Sequence, residues 1–264
     1  MTTSAVLGWL LDGDVAVAHL ATRDLLGHED ASLQARIATE GIGAALLAAR
    51  GQEGHWGRGF YQPKWTSSHY TLLQLSQIGL PGAHDAAARP WPSSSARTRL
   101  PTAGSARPHP RSRATPASTA WRWATRAGSE RRRASCAASS GSAYRADELD
   151  GARLSAAEFL LRHRLLRSER TGEVIRAEFA GLHYPARWHY DVLRGLDSLA
   201  GARIPRDERM DEALAIIRGR RRPDGRWTPA RAYPGQTHVP NERVGVPSPW
   251  VTLITERVLL AYPD

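Results

Sequence analysis

EGHWGRGFYQPKWTSSHYTLLQL (53–75), LHYPARWHYDVLRGL (182–196) and PDGRWTPARAYPG (223–235) followed by SPWVTLITERVLL (248–260) are variations on one theme. Each places Gly or Pro among aromatic residues and then enters an apolar run that opens on an aromatic residue. His69-Tyr70 matches His189-Tyr190, and Trp250 takes the aromatic place in the third copy. Related segments at wide, regular spacing are the mark of a repeat architecture. Here the spacing is 120 and then 60 residues, as if one unit were missing between the first two.

The residues around these segments recur at helical spacing. Leu33, Ile37 and Ala44 form one face behind an Asp30 N-cap, with Gly51 as the stop. A second helix starts at Thr66 or Ser67 and ends at Gly79. Ala152, Ala156, Phe159 and Leu166 mark a third. Trp188, Val192, Leu196 and Leu199 mark a fourth, closed by Gly201. Met210, Leu214 and Ile217 follow an Asp207 cap, and the basic run Arg218–Arg222 falls at that helix's C-terminus, where the dipole favours cations. The last helix has Ser248 as N-cap and Pro249 at its first position, with Trp250, Ile254, Val258 and Ala261 on one face. No strand alternation competes, so the pattern predicts an all-α fold. The helices over 186–199 and 247–262 are expected to pack together and to bury Trp188, Leu196, Trp250 and Ile254.

Composition divides the chain into three: helical repeats over 1–82, an anomalous segment over 83–143 and helical repeats over 144–264. The formal charge is +10, but the middle segment holds eleven arginines against Asp85 and Glu130, so nearly all the excess lies there. Its only aliphatic residue larger than Ala is Leu100, too little to offset a backbone ordering cost of about 1–2 kcal/mol per residue. It is therefore expected not to pack. A single cysteine, Cys136, excludes an internal disulfide and a cysteine-rich zinc site. No apolar run is long enough to span a bilayer and the N-terminus lacks the pattern of a signal peptide, which makes a cytoplasmic protein the expectation.

Asp224-Gly225-Arg226-Trp227, with Glu53-Gly54-His55-Trp56 as its earlier counterpart, resembles the repeat turn of the prenyltransferase and squalene-cyclase superfamily. The Gln that precedes such turns is present as Gln52 and replaced by Arg at 220–222. WLLDGDVAVAHLATRDLLG (9–27) and YPARWHYDVLRGLD (184–197) are also similar to bacterial proteins of that kind. The resemblance covers roughly residues 5–82 and 144–262. It implies an α/α toroid of helix-turn-helix repeats, incomplete here, and an isoprenoid or other apolar small molecule as ligand. It implies no cofactor.

The chemistry of that superfamily does not carry over. Its cyclases use an Asp-x-Asp-Asp acid, in which one carboxyl is kept protonated by its neighbours, and this chain has no such motif. Its protein prenyltransferases hold zinc through Asp, Cys and His, and Cys136 has no partners at suitable spacing. Asp191 is the one carboxylate nominated as a cavity acid, with a plain helix-start role as the alternative. Trp56, Trp65, Tyr70, Tyr184, Trp188, Tyr190, Trp227 and Trp250, with Tyr61 beside them, are the residues nominated to line a ligand site. Aromatic faces can hold an isoprenoid or a carbocation, at about 0.5–2 kcal/mol for each cation–π contact, and can equally be core. His69, His183 and His189 have no compact ligand spacing, so no metal site is assigned.

The middle segment has a reading of its own. Taken from the third base of each codon, PTAGS (101–105) is compatible with Asp-Gly-Gly followed by Ile or Val, the missing repeat turn. A shifted reading frame therefore accounts for the segment, and an Arg-rich linker is the alternative. The functions that follow are a toroid that binds isoprenoid without turnover, a non-catalytic lipid-binding or scaffold protein, and nucleic-acid binding through the arginines. The frame-shift reading disfavours the last, so no nucleic acid is expected as a partner.

Overall fold

A computed structural model describes residues 4–58, 60–85 and 146–264, the side chains of 146–149 excepted. Most of the anomalous segment, 83–143, lies outside the described residues, and with it the expectation about its packing.

The described residues form helices and loops, with one isolated bridge between Arg167 and Val174 and no named strand. The helices are α1 (Ser4–Leu11), α2 (Val15–Leu25), α3 (Ala31–Arg36), α4 (Gly41–Ala48), α5 (Ser68–Gln77), α6 (Ala146–Arg162), α7 (Val192–Gly201), α8 (Asp211–Gly219) and α9 (Pro249–Ala261). Single 3-10 turns lie at Ala177–Ala180 and Glu208–Met210.

Side-chain caps set several of the starts. Asp30 accepts from Leu33 N–H, Asp191 from Arg194 N–H, Asp207 from Arg209 N–H and Ser248 from Val251 N–H, each satisfying an amide that the first turn leaves without a partner. Pro249 follows Ser248 at the first helical position, where its missing N–H costs nothing.

The stretch expected as one helix from Asp30 to Gly51 is two, broken at Ile37–Glu40. Asp14 is the cause. Its Oδ1 accepts from Ala16 N–H at 2.9 Å to cap α2, and its Oδ2 accepts from Ile42 N–H at 2.8 Å to start α4. Gly41 lies against this carboxylate with φ at +59°, so a side chain there would meet both strain and the Asp14 oxygens.

Two further expectations are corrected. Leu166 is buried but follows the end of α6, because the chain turns through positive φ at Arg164 and Leu165. The fourth helix starts at Val192 and not at 186, so Trp188 lies in the loop before it. Trp188 is consequently 44% exposed, where burial was expected. Its predicted companions differ from it: Leu196 and Trp250 are buried and Ile254 is half-buried.

Packing follows from how the last helix is shared. Trp250 and Leu253 on α9 join the N-terminal core of Val6, Leu10, Val17, Ile37, Leu75 and Ile78. Val251 and Val258 on the same helix join the C-terminal core of Leu161, Leu182, Leu196, Leu214 and Ile217. Helix α9 accordingly packs on α2 and on α7. A helix contacted from two sides has no single apolar stripe, and Thr252, Thr255 and Glu256 are buried along with Val251, Leu253 and Val258. Arg257 links the same three helices through ion pairs with Asp24 of α2 and Asp197 of α7.

Candidate functional site

The Gly- and aromatic-rich segments converge where the two halves meet. The first supplies Lys64, Trp65, His69 and Tyr70, the second His183, Tyr184, Arg187, Trp188 and His189, and the third Tyr233, Trp250 and Glu242. Trp65 is the join. Its indole N–H donates 2.7 Å to the carbonyl of Pro234, while its ring meets Tyr70 edge-on at 4.9 Å and His189 at 6.2 Å. A hydrogen bond of 3.0 Å between His238 Nε2 and the Thr66 carbonyl adds a second tie between the halves. Gly235 has to lack a side chain, because its Cα lies against the Trp65 ring.

Four rings form a stack beside Trp65. Trp188 lies on His189 at 3.9 Å between centroids, His189 on Tyr233 at 3.4 Å, and Tyr233 on His183 at 4.7 Å. Tyr184 stacks separately on Trp250, at 4.7 Å and nearly parallel. Phe60, Tyr61, His69 and Tyr70 form a chain of ring contacts, edge-to-face at both ends and tilted between Tyr61 and His69, that ends in the exposed Phe60 and Tyr61.

Cations surround these rings. Lys64 Nζ lies 4.6 Å from the Trp65 centroid and 4.9 Å from that of Trp188, and the Arg187 guanidinium carbon is 4.8 Å from that of Trp65. Burial, reinforced by electrostatic interaction with Lys64, His183, Arg194 and Arg187, pushes His189 down to about 4. At neutral pH it is an uncharged flat ring. Burial also lowers Arg187 to about 10, which still leaves it a cation. Glu242, whose carboxylate accepts a hydrogen bond from the Ser248 hydroxyl, is pushed up to about 6 by burial.

Asp191 has little freedom to act as an acid. One oxygen caps α7 through Arg194 N–H at 2.9 Å, and the other accepts from His183 N–H and faces His183 Nδ1, both at 3.0 Å. The carboxylate is 2% exposed and orients His183 against Tyr233.

The nominated aromatic residues separate into two groups. Trp65, Tyr70, Tyr184, Trp188 and Trp250 belong to the converging set, with Tyr61 on its rim. Trp56, Trp227 and Tyr190 do not. The two tryptophans are buried beneath their turns, and the Tyr190 hydroxyl donates 2.7 Å to the Leu165 carbonyl inside the C-terminal half. Arg187, Lys64 and Tyr233 were not nominated. Arg187 and Tyr233 lie in irregular loops where no periodicity marks a residue. The signal available for Tyr233 was its place in an aromatic- and Gly-rich segment already read as a repeat. Among the described residues no group of three His, Cys, Asp or Glu side chains converges on a point.

The chain matches no family model, no curated protein and no solved structure.

Proposed function

We propose that this chain is an incomplete α/α-toroid protein of the squalene-cyclase and prenyltransferase kind, and that it binds an isoprenoid or similar apolar molecule without turning it over. The observation that carries the reading is the convergence of Trp65, Tyr70, Trp188, Tyr233, Tyr184 and Trp250 from three segments distant in sequence. Aromatic side chains together with placed polar groups, here Lys64, Arg187 and His189, are the usual lining of a small-molecule site. The commitment of both Asp191 oxygens to local hydrogen bonds supports binding without acid catalysis.

Titration of the full chain with farnesol, followed by tryptophan fluorescence, tests this. A saturable change that is lost in Trp65→Ala, with farnesyl diphosphate and squalene recovered unchanged after incubation, is the expected result. A linear, non-saturating response would refute the binding reading, and product formation would refute the inactive one.

A further inference from the structure

Arg187 combines three unfavourable features in one residue. It is 6% exposed, it is a non-glycine residue with φ at +54°, and among the described residues no carboxylate lies within ion-pair distance of its guanidinium. Left-handed backbone costs a side-chain-bearing residue roughly 1–2 kcal/mol, and a buried cation without an anion is disfavoured further. Glycine would satisfy the backbone and a methionine the packing. The turn is nonetheless held in place, since the Arg187 carbonyl accepts from Arg194 Nη1 at 2.6 Å. Strain concentrated in this way is characteristic of residues kept for a ligand.

The neighbours of Arg187 define what it could meet. Its guanidinium faces the Trp65 ring, and its electrostatic neighbours are Tyr70 and Tyr184. The Tyr184 hydroxyl is itself buried with no hydrogen-bond partner among the described residues. The two carboxylates that act on Tyr184 already have partners: Glu242 is bonded to Ser248, and Asp14 to the N–H groups of Ala16 and Ile42. A buried cation with no carboxylate partner and a buried hydroxyl with no hydrogen-bond partner among the described residues, set beside aromatic rings, match one planar oxyanion carried by an apolar body.

We propose that Arg187 recognises the headgroup of the molecule bound in the aromatic cluster, and that this headgroup is a single carboxylate. The proposal rests on the binding reading above. One guanidinium balances one negative charge, and a diphosphate would bring additional charge beside a buried arginine whose cationic neighbour over the Trp65 ring, Lys64, is exposed to solvent. Arg194 is engaged with the carbonyls of Arg187 and His189.

The test compares farnesol, farnesoic acid and farnesyl monophosphate on the full chain by fluorescence titration, with thermal unfolding of the free proteins alongside. Farnesoic acid should bind about tenfold or more tightly than farnesol, the size expected of one charge-assisted hydrogen-bonded pair. Arg187→Met should abolish that preference and raise the melting temperature of the free protein, while Arg187→Lys keeps part of the preference. Equal affinity for acid and alcohol in the wild type overturns this inference but leaves the binding reading standing. Failure of both to bind overturns both. Farnesyl monophosphate binding tenfold more tightly than the acid overturns the choice of carboxylate, and a lower melting temperature for Arg187→Met assigns the residue to packing instead.

Discussion

Trp56 and Trp227, 171 positions apart, occupy the same place in two copies of one turn. Each indole N–H donates 2.7 Å to a carbonyl ten residues earlier, that of Leu46 or Ile217, in the last turn of the preceding helix. Each backbone N–H donates 3.0 Å to a hydroxyl in the following helix, that of Ser68 or Thr252. Arg50 and Arg221 lie over the respective rings at 5.4 and 5.5 Å. Gly54 and Gly225 turn the chain at φ of +80° and +79°, which only glycine adopts at little cost. The tryptophan thus caps one helix and anchors the next.

Because the two networks match, their losses should match. Trp56→Phe and Trp227→Phe each remove a buried hydrogen bond and leave a helix carbonyl short of a donor, at about 1–3 kcal/mol. Urea unfolding of both variants should give losses that agree within about 1 kcal/mol. A loss at one site and none at the other would mean that the turns are alike in shape alone.

Arg257 should be the charged residue whose removal costs most. It pairs with Asp24 and Asp197 and so holds α2, α7 and α9 together. Its own charge is reinforced: burial opposes it, but Asp197 and Asp24 raise its pKa. Breaking a buried pair costs about 3–5 kcal/mol, and the low end applies because roughly a quarter of the arginine side chain is accessible. Chemical unfolding of Arg257→Met measures this, and a change under about 1 kcal/mol would place the triad among surface pairs.

Acid should weaken the fold in two stages. His19 is 1% exposed with neither ring nitrogen partnered among the described residues, and burial lowers its pKa; His189 is held at about 4. In this case the unfolded chain takes up protons first, so stability falls as pH drops below about 6.5 and levels off below the folded values. Asp24, held below its ordinary value by Arg23 and Arg257 against the effect of burial, adds a second loss at lower pH, as it protonates. His19→Leu should reduce the first stage to the part contributed by His189, without loss of stability at pH 7, because both unpartnered nitrogens go together. An unchanged pH profile for that variant would remove His19 from the account.

The shifted reading frame is testable without protein. Sequencing the gene across residues 101–105 should reveal Asp-Gly-Gly codons in the frame that begins at each third base. Their absence would make the segment a true Arg-rich linker.

What could be read from the sequence was whatever short-range chemistry dictates. Ser248-Pro249 and Asp30 announce helix starts through their own side chains, and Gly54-x-Trp56 and Gly225-x-Trp227 announce a turn through positive φ and a buried indole. The break at Gly41 could not be read, because the residue that causes it, Asp14, is 27 positions away. Trp188 was misread because apolar spacing fits a helix extended backward from Val192, whereas Asp191 caps that helix and leaves the tryptophan outside it. Within the site, the aromatic members stood out by type. Arg187 did not, since what marks it is burial without a carboxylate partner among the described residues, and only the packing of the loops reveals that.

The central claim is that three loops build one ligand site, and photolabelling addresses it most directly. The full chain is irradiated with a diazirine-bearing farnesol analogue and its labelled peptides are mapped by mass spectrometry. The account predicts saturable labelling, displaced by unlabelled farnesol, confined to 60–70, 183–190 and 233–250. Labelling spread over the exposed apolar residues elsewhere, such as Leu154, Val174 and Leu260, with none in those three segments, would contradict it.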